Sequence, residues 1–453
     1  MKSQLTPPKE LFLARRNALV QRIRSISDSS IVILNTAQEV ARNRDSEFAY
    51  RHDSDFYYLT GFMEPEAFLV IQIKGGETIT HLFCRPKDLE REIWDGFRLG
   101  PEAAPSQLAI DHAHSIEDLN SKMPDLIAEF DQVFTRNHAD TLMDEHLRQW
   151  NGELAKKARL GISKPSTFHD VESIVHEMRL FKDAQEIAIM QQASWISSQA
   201  HLAAMKRSTP GLKEYHLEAD ILYTFRNHGS ESVAYNSIVA TGENACVLHY
   251  RAGDSTLQDG DLCLIDAGCE LLGYAADITR TFPVNGKFSP AQAQAYNIVL
   301  AAQEAAIAKC RAGENFQAPH EAALKVLTQG LFDMGVLNYQ QHGSLESAIE
   351  NKAFQPYYMH RTSHWLGMDV HDVGSYREPH DPNKAWRILR PNMVLTVEPG
   401  LYFRPSKEIP PEFWNIGIRI EDDVVITTDA PMILTRDVPV KIEDIEAWMA
   451  KSS

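Results

Sequence analysis

The 453-residue sequence is poor in cysteine. Its five, Cys84, Cys246, Cys263, Cys269 and Cys310, are scattered, odd in number and never spaced as Cys-x-x-Cys. That pattern excludes a disulfide framework and a thiolate zinc site, and it fits a reducing cytoplasm. Long apolar runs are missing too, so no segment reads as a membrane span. The opening MKSQLTPPKELFLARR holds two prolines and several charges, which leaves no apolar core for an export signal. Basic residues are in deficit: 45 Lys and Arg face 62 Asp and Glu, a net charge of −17. Such a surface repels phosphate backbones, which excludes nucleic acid as a partner. Low-complexity tracts and short repeats are absent.

What is present is the mixture of a folded globular chain, 43% hydrophobic and 24% charged. The length exceeds one ordinary core and predicts two domains. Residues 1–175 read as an α/β domain. A helix runs from about Pro8 to Ile23, with strands at Ile31–Leu34, Phe56–Leu59, Ala67–Ile73 and Ile79–Phe83. Gly75-Gly76 forms a hairpin turn between the last two. From Lys87 to Trp150 the pattern is largely helical and loop-like. Residues 176–453 read as an α+β domain. The breaker-poor stretch from Asp170 to Ser208 predicts a linker running into one long helix, ended by Thr209-Pro210-Gly211. A second helix places Leu217, Ile221, Leu222 and Phe225 on one face and stops at Asn227-His228-Gly229. A third opens at Ser289-Pro290-Ala291-Gln292, a capping box with proline at the first helical position. Strands are expected at Ser237–Ala240, Asp261–Ala267, Tyr274–Phe282, Val394–Val397 and Gly417–Ile426.

Those strands carry the chemistry. In DLCLIDAGCELLGYAADITRTFPV, a hairpin would bring Asp266 beside Asp277. Two buried carboxylates side by side repel, and burial makes each harder to ionise. Either one is protonated or a cation lies between them. Glu398 ends an apolar strand before Pro399-Gly400, and Glu421 ends the alternating run Ile416, Ile418, Ile420. MHRTSHWLGMDVHDVG supplies His360, His364 and His371. Four carboxylates and one imidazole form an oxygen-rich shell suited to Mn²⁺, Co²⁺ or Zn²⁺, and two dications would balance the four negative charges. Spacing alone leaves this open. A single Asp at a strand edge is commonly a turn residue, and a Glu before Pro-Gly a loop residue.

The segments IDAGCELLGYAADITRTFPVNGKF, SHWLGMDVHDVG, LTVEPGLYF and GIRIEDDVVIT resemble the signature segments of aminopeptidase P. These Xaa-Pro aminopeptidases belong to the pita-bread metallopeptidases, with prolidase, methionine aminopeptidase and creatinase. DSEFAYRHDSDFYYLTGF and EIWDGFRLG extend the resemblance through the first half, so that it runs from about residue 10 to about residue 450. It implies a pita-bread catalytic domain behind a smaller α/β domain serving substrate access and oligomerisation. It also implies two metal ions per chain, manganese by family preference. Asp266 would hold one metal, Asp277 and Glu421 would bridge both, and His364 and Glu398 would complete the second. His249 matches a histidine near the scissile carbonyl. His371 matches one that stabilises the intermediate or hands a proton to the leaving nitrogen. His360 and Arg419 match pocket residues. Trp94 matches a tryptophan that, in tetrameric members, reaches into a neighbouring subunit's active site, and Asp45 an acidic residue from the same region.

The implied reaction is hydrolysis of the bond between any N-terminal residue and a penultimate proline. A metal-bridged hydroxide would attack the carbonyl, with Glu398 managing its proton. That bond is a tertiary amide without an N–H, which calls for a dedicated pocket. The partners implied are such peptides and further copies of the chain, as a dimer or tetramer. Competing readings are a prolidase restricted to Xaa-Pro dipeptides, a non-catalytic pita-bread binding protein, and a metal-free hydrolase resembling creatinase. One departure stands out. The family commonly has His-Gly-x-x-His where this chain reads His360-Arg361-Thr362-Ser363-His364. If that backbone needed positive φ, Arg361 would cost on the order of 1 kcal/mol. A tolerant loop would instead place a cation beside the pocket and alter substrate preference.

Overall fold

The computed structural model describes residues 5–136 and 140–450. The chain divides into two compact units, one of Thr6–Arg179 and one of Leu180 onward together with Leu5.

The first unit is built on a six-stranded sheet. Its spatial order is His112–Ser115, Glu77–Cys84, Phe68–Lys74, Ser29–Asn35, Gln132–Thr135 and Thr167–Asp170. The three central strands pair antiparallel, and the outer ones join them in parallel. Ile31, Ile33, Phe68 and Val70 pack against Met123 and Ile127 of one helix, and Leu147, Trp150 and Leu154 of another. Gly75 and Gly76 both have positive φ and close the two-residue hairpin between Lys74 and Glu77.

Two expectations for this half are corrected. Phe56–Leu59 is not a strand but the middle of helix Ser54–Thr60. The Asp53 carboxylate accepts from Phe56 N at its start, and Gly61 at φ +70° ends it. A short apolar run buried on every side carries no period, so the cap residues decide its state. The stretch Lys87–Trp150 also contains two strands, His112–Ser115 and Gln132–Thr135, both too short to show alternation.

In the second unit, helices Ala184–Arg207, Glu214–Asn227, Pro290–Ile307 and Ala318–Asp333 surround short antiparallel sheets. One sheet holds Ile238–Thr241, Leu262–Asp266 and Thr279–Pro283; another holds Val394–Val397, Asp422–Val425 and Met432–Ile433; Gly400–Phe403 pairs with Ile416–Arg419. The capping box at Ser289 and Gln292 forms as expected. The linker and long helix are instead two helices, Glu172–Arg179 at the end of the first unit and Ala184–Arg207 at the start of the second. Asp183 caps the second in a box with Glu186, which resets the chain between them. Leu217, Ile221 and Phe225 are buried at helical spacing, but Leu222 points outward, 39% exposed. It lies one residue, about 100°, around the helix from that face.

The expected strands Tyr274–Phe282 and Gly417–Ile426 are each interrupted, and the interruptions fall on Asp277 and Glu421. Asp277 N donates to the Asp423 carboxylate (3.0 Å) rather than to a ladder carbonyl. Glu421 N crosses to Thr279 O (3.0 Å). Each break turns an acidic side chain out of the sheet pattern.

Candidate metal centre

The residues singled out in the second half meet in one cavity of about 770 Å³. Its lining includes Asp266, Asp277, His364, Glu398, Glu421, His249, His360, His371 and Arg419. Trp94 and Asp45 are not among its lining residues; both lie exposed in the first unit, on helix Leu89–Asp95 and in the turn before Ser46–Glu47.

Backbone pairing explains the convergence. Asp266 closes the central strand of its sheet, opposite Ile238 on one side and Thr279 on the other. The next turn is tightened at Gly268, where a Cβ would stand 1.7 Å from Ala276 O. Only glycine allows this backbone crossing, which returns Asp277 to Asp266. His364 and Glu398 lie on neighbouring extended segments, tied by Thr396 N to His364 O (3.0 Å) and Glu398 N to Thr362 O (2.8 Å).

Asp266, Asp277 and Glu421 are buried, and Glu398 is partly so. Burial raises the pKa of Asp277, raises that of Glu421 well above the usual range, and lifts Glu398 to about 7. Neighbouring acids add to each of these shifts. Such a cluster is poorly stable as four free anions and is relieved by cations. The donor set fits: Asp277, His364 and Glu421 offer ligand atoms all within 4.8 Å of one another. His364 Nε2 lies 3.5 Å from Asp277 and 3.7 Å from Glu398, while its Nδ1 lies 2.9 Å from Trp365 O. That second contact fixes the ring so that Nε2 faces the carboxylates.

A second layer holds the first. Arg419 donates to Asp266 (2.6 Å), to the Tyr402 hydroxyl (3.0 Å) and to Thr279 Oγ1 (3.2 Å). His360 Nε2 lies 2.8 Å from the same Tyr402 hydroxyl, and burial, followed by the charge of Arg419, lowers the His360 pKa to about 3. Thr279 Oγ1 donates to Glu421 (2.6 Å). The His371 ring stands 4.3 Å from that of His364, and Asp372 beside it pairs with Lys182 (2.9 Å) in a buried ion pair.

Several of these partners escape sequence reasoning. The Tyr235 hydroxyl lies within hydrogen-bond distance of both Asp266 and Asp277. Nothing in its spacing marks it. Tyr402 and Thr279 are likewise ordinary strand residues by pattern. Asp423 could have been suspected, since three acids in a row at Glu421-Asp422-Asp423 are odd inside an apolar strand. As for Arg361, its φ is not among the positive values, so its backbone needs no glycine.

Comparison with known proteins adds an independent line. The family model for metallopeptidase family M24 matches residues 188–428, and that for the aminopeptidase P N-terminal domain matches residues 12–134. The Xaa-Pro aminopeptidase of Escherichia coli K12 is 44% identical over 97% of this chain and 98% of its own length. Human Xaa-Pro aminopeptidase 3 is 33% identical over 98% of this chain and 86% of its own. The structure of Pseudomonas aeruginosa aminopeptidase PepP matches with a TM-score of 0.94 at 45% identity, covering 98% of both chains. A Glu-to-Ala variant of Escherichia coli aminopeptidase P, in complex with substrate, matches with a TM-score of 0.93 at 43% identity, also covering 98% of both.

Proposed function

Because this chain belongs to metallopeptidase family M24, we propose that its cavity removes an N-terminal residue from peptides whose second residue is proline. The carrying observation is the convergence of Asp266, Asp277, His364, Glu398 and Glu421 on one cavity, in a chain 44% identical end to end to an Xaa-Pro aminopeptidase. These five residues would hold two divalent metal ions, manganese by preference, although cobalt and zinc suit the same donors. When bound, such a pair polarises a carbonyl and supplies a nucleophile at neutral pH.

The chain's own groups do the rest. Glu398 takes the proton released by the attacking water. His249 and His371 are exposed residues of the cavity lining. His249 contacts the substrate near the scissile carbonyl. The proton that Glu398 takes from the water ends on the proline nitrogen as the C–N bond breaks, since a secondary amine leaves poorly as an anion; His371 stabilises the intermediate or hands that proton to the nitrogen. Arg419 and His360, joined through Tyr402, hold Asp266 and the inner wall in place.

In the first unit, helix Leu89–Asp95 and its flank expose Leu89, Ile93, Trp94 and Phe97 by 80% or more. An apolar face of this kind suits packing against another copy of the chain, as a dimer or tetramer, with Trp94 and Asp45 near that copy's substrate. Five unpaired cysteines suit a cytoplasmic setting.

The deciding experiment strips the metal, restores Mn²⁺, and assays Ala-Pro-Ala beside Ala-Pro. Release of alanine from the tripeptide only after metal is restored is expected. Cleavage of the dipeptide alone would make the protein a prolidase, and no cleavage with full metal loading would end the hydrolytic reading.

A further inference from the structure

The residues lining the cavity differ in burial. Asp266, Asp277, Glu421 and Arg419 are buried and Glu398 is partly so, while His249 and His371 are exposed, and two more exposed residues, Arg251 and Arg361, belong to its lining. The chain carries 62 acids and a net charge of −17, yet among the described residues no carboxylate pairs with either arginine. The lining's acids are only the four that would hold metal. Once those are neutralised, the formal charge left on the wall is positive.

Arg361 differs from Arg251 in being held. Its Nη2 donates to Gln317 Oε1, and its Cζ sits 5.0 Å from the Trp386 ring centroid. Trp386 is itself fixed by a turn-closing hairpin. Arg377 bridges to it, Arg377 Cζ lies 3.3 Å from its ring, and Glu378 N donates to Ala385 O (2.9 Å). The Asp381 carboxylate accepts from Asn383 N and Ala385 N inside the same loop. A guanidinium laid against an indole keeps its charge, loses rotamer freedom and presents its remaining N–H groups in a fixed fork.

We infer that Arg361, braced by Trp386 and Gln317 on the exposed part of the cavity lining, recognises a carboxylate on the peptide beyond the proline. The inference rests on the hydrolytic reading above. In that reading the substrate's N-terminal residue lies among the metal-holding acids, so the rest of the peptide leaves past the exposed lining residues. The carboxylate can come from two sources, the C-terminus of a tripeptide or an acidic side chain after the proline. Both offer the planar pair of oxygens that a guanidinium matches.

The test uses the metal-loaded full chain and four peptides: Ala-Pro-Ala, Ala-Pro-Ala-NH₂, Ala-Pro-Glu-NH₂ and Ala-Pro-Lys-NH₂. Wild type should favour a carboxylate-bearing peptide over neutral Ala-Pro-Ala-NH₂ by roughly fivefold in kcat/KM, as for one partly exposed ion pair. The difference should lie in KM and shrink as salt rises. Arg361→Gln should bring the ratio near one while leaving the neutral peptide unchanged, and Arg361→Lys should keep part of it. Calorimetry of the product Pro-Ala against Pro-Ala-NH₂ should show the same ratio without turnover. A preference for the free C-terminus, or for Glu, identifies the source. If wild type lacks the preference, or Arg361→Gln retains it, the inference is overturned while the aminopeptidase reading stands. If the fully loaded enzyme cleaves none of the four, both fall together.

Discussion

At the scale of single residues, one carboxylate of the cavity would both hold metal and move a proton. Glu398 is the least enclosed of the four carboxylates, and burial lifts its pKa to about 7. Glu398→Ala should lower kcat by a factor of about 10² to 10⁴, the usual worth of a positioned acid–base group. The measurement is kcat at saturating metal, and a near-normal value would remove Glu398 from that role. Tyr235 acts differently, since its hydroxyl touches Asp266 and Asp277. Tyr235→Phe should weaken metal affinity by about tenfold with kcat nearly kept at saturating metal; a metal titration followed by activity checks it. The acids stood out in the sequence as charges at the ends of apolar strands, but spacing alone left their role open and the family resemblance supplied it. Tyr235 did not stand out, because a lone tyrosine near a strand looks like any packed aromatic.

At the scale of elements, the site depends on places where regular structure stops. Asp277 and Glu421 sit at breaks in their strands, and their amides bond across those breaks. The strands expected from the sequence, Tyr274–Phe282 and Gly417–Ile426, span both positions, because apolar residues on either side of each acid favour an extended chain. The close approach at Gly268 makes the arrangement brittle. In Gly268→Ala the new methyl would meet Ala276 O and C at 1.7 and 2.5 Å, and both are backbone atoms that cannot rotate away. A loss of about 3 kcal/mol or more is expected, seen as a lower Tm together with lower metal content. Wild-type stability and metal content in that variant would show that the crossing is not needed.

At the scale of the whole molecule, the first unit carries its own electrostatic anchor. In the first, buried Asp55 pairs with Arg179 (2.6 Å), with His176 (3.2 Å) and more distantly with Arg136 (3.6 Å). Its grouping with Glu172 and His176 could hold a metal by distance alone, but the two arginines already balance it. Burial opposes ionisation of Asp55, yet the His176 hydrogen bond and the Arg179 charge outweigh it and hold its pKa well below the usual carboxylate value. A depressed folded pKa gives stability that is present above the unfolded value, about 3.9, and is lost as pH falls through the folded one. Asp55→Asn should therefore cost about 3 kcal/mol at pH 7, with the gap in Tm to wild type closing below about pH 4. An equal gap at both pH values would contradict this.

The same unit carries the exposed apolar helix. Sedimentation should find an oligomer, and Ile93→Asp with Phe97→Asp should reduce it to monomer with lower kcat/KM; a monomeric wild type would refute the assembly. Burial and long-range pairing of this kind join residues such as Asp55 and Arg179, far apart in sequence, so patterning could suggest the units but not this anchor.

All five cysteines are unpaired and buried, and burial raises the pKa of each thiol. Alkylating reagents therefore find no ready thiolate while the fold is closed. Labelling rates become a clock for transient opening. Cys84 reports on the first unit, whereas Cys246, Cys263, Cys269 and Cys310 report on the second. Mass spectrometry of the order in which they react would show which half of the chain breathes first, and whether metal slows the strand that joins Cys263 to Asp266.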